Sequence, residues 1–109
     1  MTLNDPVYVE ASQALGRRLM NEGGNTVADR ARYALRLCLA RPPKEEQVKT
    51  LVELYEKELA HYRGDETDAK KLATEPLGPL PDHVNAAEAA AWTSVANVLL
   101  NLDGVLTKG

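Results

Sequence analysis

Residues 86–106 read AAEAAAWTSVANVLLNLDGVL, and the fold turns on this stretch. Asn85 just before it and Glu88 within it stand as a helix N-cap and its N3 partner. Ala89, Trp92, Val95, Ala96, Leu99, Leu102 and Leu106 then recur on one side of a helix. Val98 and Leu100 widen the apolar surface beyond a narrow stripe, as in a helix surrounded by others. This last helix is therefore expected at the centre of the domain, with Trp92 as its core anchor.

The segments before it supply the helices to surround it. Residues 76–81, PLGPLP, are too rich in proline for a helix interior and read as an ordered crossover whose leucines pack. Asp65 is placed to cap a short helix from Glu66 to about Thr74, with Ala69, Leu72 and Ala73 as its small apolar face. Ahead of it, Pro43 with Glu45 and Glu46 suits the positive end of a third helix. Its stripe is Val48, Leu51, Val52, Tyr55, Leu59 and Tyr62, and it stops at Gly64.

A second helix starts at Thr26, with Asp29 three residues on, carries Val27, Ala31, Ala34, Leu35, Cys38 and Leu39, and ends at Arg41-Pro42-Pro43. The first opens at Asp5-Pro6 and presents Val7, Ala11, Ala14, Leu15 and Leu19 on one face until Gly23-Gly24 halts it. Short corners favour antiparallel neighbours. The expectation is a single all-α domain over residues 1–109: a four-helix bundle of antiparallel helices with a short extra helix and a Pro-rich crossover.

Composition agrees. The chain holds 16 Leu, 15 Ala and 9 Val but no Ile and no Phe, a palette of helix formers that excludes β-sandwiches and barrels. A domain of this length buries roughly two thirds of its unfolded surface, which suffices for a modest core and not for a deep substrate cavity as well. A net charge of −3 argues against a nucleic-acid binder, which needs a concentrated basic surface. No run of the sequence has the apolar length of a membrane span, and MTLNDPVYVE has neither the basic nor the apolar part of a secretory signal.

Residue constellations for chemistry are thin. Cys38 stands alone, without the C-x-x-C-H of covalent haem or a second thiol for zinc, and its apolar stripe makes it a small core residue. His61 follows Glu58 by three residues, a spacing used in carboxylate-bridged metal sites, but those sites take the motif from two helices; the pair reads as solvated. Ser12 or Ser94 with His61 or His83 could be drawn as a nucleophile set, yet no G-x-S-x-G elbow selects them. Gly23-Gly24 lacks the strand and Lys-Ser/Thr of a phosphate cradle. Arg30, Arg32, Arg36 and Arg41 decorate the second helix and Glu45, Glu53, Glu56 and Glu58 the third, a pattern read as cross-helix and solvent pairing ahead of an anion-binding stripe. No catalytic, cofactor-binding or metal-binding residue is assigned.

Three segments carry a resemblance: LNDPVYVEASQALGRRLM, RARYALRLCLARPPKEEQVKTLVELYEKE and AAWTSVANVLLNLDGVLTKG. Together, with Leu3-Asn4-Asp5-Pro6, Arg41-Pro42-Pro43, Ala91-Trp92-Thr93 and residues 99–103 in this order, the chain resembles the C-terminal part of a planctomycete domain of unknown function. That domain ends large proteins that often carry a cytochrome c-like domain. The chain departs from it at Gly104-Val105, where the family commonly has Glu followed by an aromatic residue.

The resemblance implies a portion of a larger protein or a stand-alone relative of one, the helical terminal module of the parent if that parent is exported and electron-transferring, and supplies no catalytic residues. The expected function is a non-catalytic helical interaction or scaffold module whose partners are other domains of the parent. The alternatives are a fragment of a glycan-processing or redox-linked enzyme, with acids such as Glu53 or Asp103 completing an upstream active site, and a homo-oligomer built on the last helix.

Overall fold

The computed structural model describes residues 6–38, 42–75, 77–81 and 83–108, with side chains between Val9 and Asn101. Five helices follow one another: α1 (Pro6–Glu22), α2 (Val27–Cys38), α3 (Glu45–Arg63), α4 (Glu66–Thr74) and α5 (Ala86–Lys108). There is no strand among the described residues, so the all-helical expectation is met.

The helix starts are set by local chemistry. Thr26 Oγ1 accepts the Asp29 amide at 3.0 Å, Asp65 Oδ1 the Asp68 amide at 3.1 Å, and Asn85 Oδ1 the Glu88 amide at 3.1 Å. Each fills one of the donors that a first turn leaves without a partner. At α3 the expected opening is shifted. Pro43 precedes the N-cap, Lys44 occupies it, and the Lys44 amide donates to Gln47 Oε1 at 3.0 Å. The first helix ends where the glycines stand: the Gly23 amide donates to the Leu19 carbonyl at 2.9 Å, and Gly24 turns the chain at φ +102°. Asp5 and Leu39-Ala40-Arg41, which enter the expected start of the first helix and end of the second, lie outside the described residues.

Helix α5 touches all four others. α1 and α3 lie against it, α2 bridges those two on one side, and α4 touches both on the other. The reason is the alanine content of α5. Ala87, Ala89, Ala90, Ala91 and Ala96 are buried together with Trp92, Thr93, Val95 and Leu99, so nearly its whole circumference between 87 and 96 is covered. Methyl side chains let neighbours approach closely, and a helix apolar all round belongs inside. Leu19, Ala31, Ala34, Leu35, Val48, Leu51 and Tyr55 complete the core with it. Leu102 and Leu106, expected on the same face, lie outside the described side chains.

The stripes of α2, α3 and α4 match expectation: Ala31, Ala34 and Leu35, then Val48, Leu51 and Tyr55, then Ala69 and Ala73 are buried. Helix α1 matches in part: Leu19 is buried and Leu15 packs against the core as expected, while the Val7 side chain lies outside the described residues. Ala11 and Ala14 are exposed, while Ser12, Gln13 and Gly16 are buried beside Leu19. The buried face is thus rotated from the apolar stripe toward small and polar residues. The cause lies in the partners. A Cβ on Gly16 would stand 3.0 Å from the Thr93 nitrogen of α5, closer than side chains ordinarily pack, so glycine suits this approach. Asn97 on α5 donates to Ser12 Oγ at 3.1 Å, and Gln13 reaches α4.

Candidate functional site

One place brings two polar side chains of α1 against main-chain groups about 60 positions away: the junction where α1 meets the end of α4 and the segment after it. Gln13 and Arg17 lie four residues apart on α1, hence on one face. Gln13 Nε2 donates to the carbonyls of Leu72 and Glu75, the latter at 2.5 Å, and its Oε1 accepts the Leu77 amide at 3.1 Å. Arg17 Nη2 donates to the Ala73 carbonyl at 3.0 Å and to the Gly78 carbonyl.

These acceptors include carbonyls at the close of α4, where a helix has no intrahelical donors left and carries partial negative charge. A permanently protonated guanidinium and a primary amide supply what is missing. Arg17 Nε is enclosed without a hydrogen-bond partner.

Beside Arg17 a groove of about 460 Å³ opens between α1 and the crossover, lined by Arg17, Met20, Asn21, Pro79, Leu80, Pro81 and Val84. Its wall is mostly apolar. The crossover leucines are half-buried, Leu77 near Gln13 and Leu80 in the groove wall, in keeping with an ordered segment. Arginine cannot serve as a general base, and Asn21 has no titratable group, so the groove offers shape and hydrogen bonds without a proton carrier.

The residues singled out from the sequence are scattered around this junction. His61 is exposed on α3 and meets Tyr62 edge-on, with ring centroids 4.8 Å apart. His83 is exposed ahead of α5, and Glu53 is exposed on α3. Ser12 is buried against Asn97, and Ser94 is half-buried beside the Tyr62 hydroxyl. These serines and histidines stand on α1, α5, α3 and the segment before α5, and no group of three potential metal ligands occurs among the described residues. Cys38 is half-buried. Of the arginines, Arg32 pairs with Asp29 at 3.3 Å and across to Glu45 at 3.5 Å, both partly exposed; Arg41 and the Asp103 side chain lie outside the described residues.

Trp92 is fully buried and stacks on Tyr55, centroids 4.4 Å apart, with its indole N–H enclosed. Burial pushes the Tyr55 phenol above its ordinary range, and Glu88 adds to the shift; burial does the same to Tyr62. Glu22 is held low by the Tyr33 hydroxyl, at 2.8 Å, and by Arg18.

Gln13 and Arg17 were not candidates in the sequence. Their only signal is a pair of polar side chains at i and i+4 on a helix whose apolar stripe, read alone, points elsewhere. No helix among the described residues is long and apolar enough to cross a membrane. No protein-family model, curated protein or solved structure matches this chain.

Proposed function

We propose that this chain is a non-catalytic helical interaction or scaffold module that forms the C-terminal part of a larger planctomycete-type protein and packs against the parent's other domains. The observation that carries the reading is where its buried polar side chains go. Gln13 ties α1 to the end of α4, Ser12 ties α1 to α5, and Thr93 Oγ1 returns to the Ala89 carbonyl at 2.8 Å. Each serves the fold, while His61, His83 and Glu53 are exposed.

We read the architecture as an antiparallel bundle of α1, α2, α3 and α5 with α4 as the extra helix. The pairings Ser12 with Asn97 and Gly16 with Thr93 support this for α1 and α5, because the partner number falls as the α1 number rises. The absence of an α1–α3 contact among the described residues supports it as well, since those helices would sit on a diagonal.

Two measurements test the functional reading. In a screen against glycoside, ester and peptide substrates the chain is expected to show no turnover, and turnover abolished by one point substitution would overturn it. The coding sequence ahead of Met1 tests the parent: an upstream reading frame with a C-x-x-C-H motif is expected, and an in-frame stop immediately before Met1 would sink that part.

A further inference from the structure

Arg17 brings a positive charge into the wall of the groove between α1 and the crossover, and the described residues set no carboxylate against it. The ion pairs among them belong to Arg18 and Arg32. Within the guanidinium the nitrogens are used unequally. Nη2 donates to the Ala73 and Gly78 carbonyls, and Nε is enclosed. Among the described residues Nη1 has neither a bond nor an enclosure, so its N–H groups are what Arg17 can offer an incoming acceptor.

Asn21 lies one turn on from Arg17, on the same face of α1, and is exposed at the groove, where its amide adds a second donor. The rest of the lining, Met20, Pro79, Leu80, Pro81 and Val84, is apolar. Such a groove suits a small molecule with one negative charge at its end and a hydrocarbon chain behind it. A volume of about 460 Å³ falls among those of small-ligand sites. The lining is a handful of residues, against the roughly 20–30 a side of a stable protein interface. A phosphate group calls for more cationic donors than one guanidinium nitrogen supplies.

We propose that this groove binds a medium-chain monocarboxylate, its carboxylate accepting from Arg17 Nη1 and the Asn21 amide and its chain lying on Met20, Pro79 and Leu80. Arg17 keeps both of its carbonyls, and the ligand supplies the counter-charge. Apolar walls limit the competition from water for that charge-assisted bond. The inference goes beyond the scaffold reading and does not rest on it.

Octanoate titrated into the full 109-residue chain, below its micelle-forming range and followed by amide chemical shifts, tests it. Saturable shifts are expected at Asn21, Leu80 and Val84, with octanol bound about tenfold more weakly because it lacks the charge. Arg17 also holds the end of α4, so the variants leave it in place. Asn21→Asp, nearly isosteric and exposed, sets a negative charge beside Arg17; it is expected to weaken octanoate about tenfold and to leave octanol unchanged. The absence of saturable shifts, octanol binding as tightly as octanoate, or an Asn21→Asp affinity equal to the wild type would each overturn the proposal. Asp82, between Pro81 and His83 in the sequence, lies outside the described residues. Octanoate binding that appears only in Asp82→Asn would overturn it as well, because Arg17 would then already have its acid.

Discussion

Gly16 of α1 faces the backbone of Thr93 of α5 so closely that a Cβ on Gly16 would lie 3.0 Å from the Thr93 nitrogen and 3.2 Å from its Cα. This close approach lies in the most extensive helix contact among the described residues. Because the obstacle is main chain, it cannot swing aside as a long side chain would. Gly16→Val is expected to destabilise by about 1–3 kcal/mol, the cost of overpacking a close interior contact. Thermal melting of the variant checks this; an unchanged midpoint would show that the two helices are not held at this distance.

Trp92 gives a second prediction. It is the sole tryptophan, fully buried, and stacked on Tyr55. Trp92→Ala is expected to cost about 3–5 kcal/mol by leaving a cavity where no neighbour can follow. The native protein should emit at short wavelength and resist acrylamide quenching, since its only indole is enclosed. Emission typical of water-exposed tryptophan would contradict the burial directly.

The caps and the surface ion pairs should separate cleanly in chemical denaturation. Thr26→Ala, Asp65→Ala and Asn85→Ala each remove a side-chain oxygen that accepts a first-turn amide, and each is expected to cost about 0.5–2 kcal/mol. Glu45→Ala removes the Arg32 pair, in which the Glu45 carboxylate is largely exposed, together with a first-turn acid of α3, and is expected to cost about 1 kcal/mol or less. A Glu45→Ala loss larger than the cap losses would reverse this order.

Stability should also fall at high pH. Burial raises the Tyr55 phenol above its ordinary value of about 10, so the folded state keeps the proton that the unfolded chain gives up. The contribution is whole below the unfolded value and is lost as pH climbs through the folded one. Tyr62 acts in the same sense. Glu22 acts at the other end: its folded value is depressed by Tyr33 and Arg18, so its contribution is present above the unfolded value and lost as pH falls through the folded one. Tyr55→Phe should flatten the alkaline arm and leave the acid arm alone. An alkaline slope of equal steepness in that variant would assign the effect elsewhere.

What the sequence determined by itself was everything decided within a few residues. Caps at Thr26, Asp65 and Asn85 are short-range exchanges between a side chain and an amide three positions on, and Gly23-Gly24 and Gly64 stop helices through local backbone preference, so element order and most boundaries were legible. The stripes of α2, α3 and α4 were legible for a related reason, because large or methyl side chains at helical spacing have one favourable place to go. The centrality of α5 followed from its alanines.

The tertiary structure alone decided which face of α1 is inward. Leu15 and Leu19 keep to the core side, but its exposed Ala11 and Ala14 and its buried Ser12, Gln13 and Gly16 depart from what hydrophobicity recommends. Gln13 is stable inside only because carbonyls some 60 positions away accept its protons, and Gly16 only because a backbone some 77 positions away needs the room. A polar group may be buried when its hydrogen bonds are met, and whether they are met is settled by neighbours that a local reading of the chain does not contain.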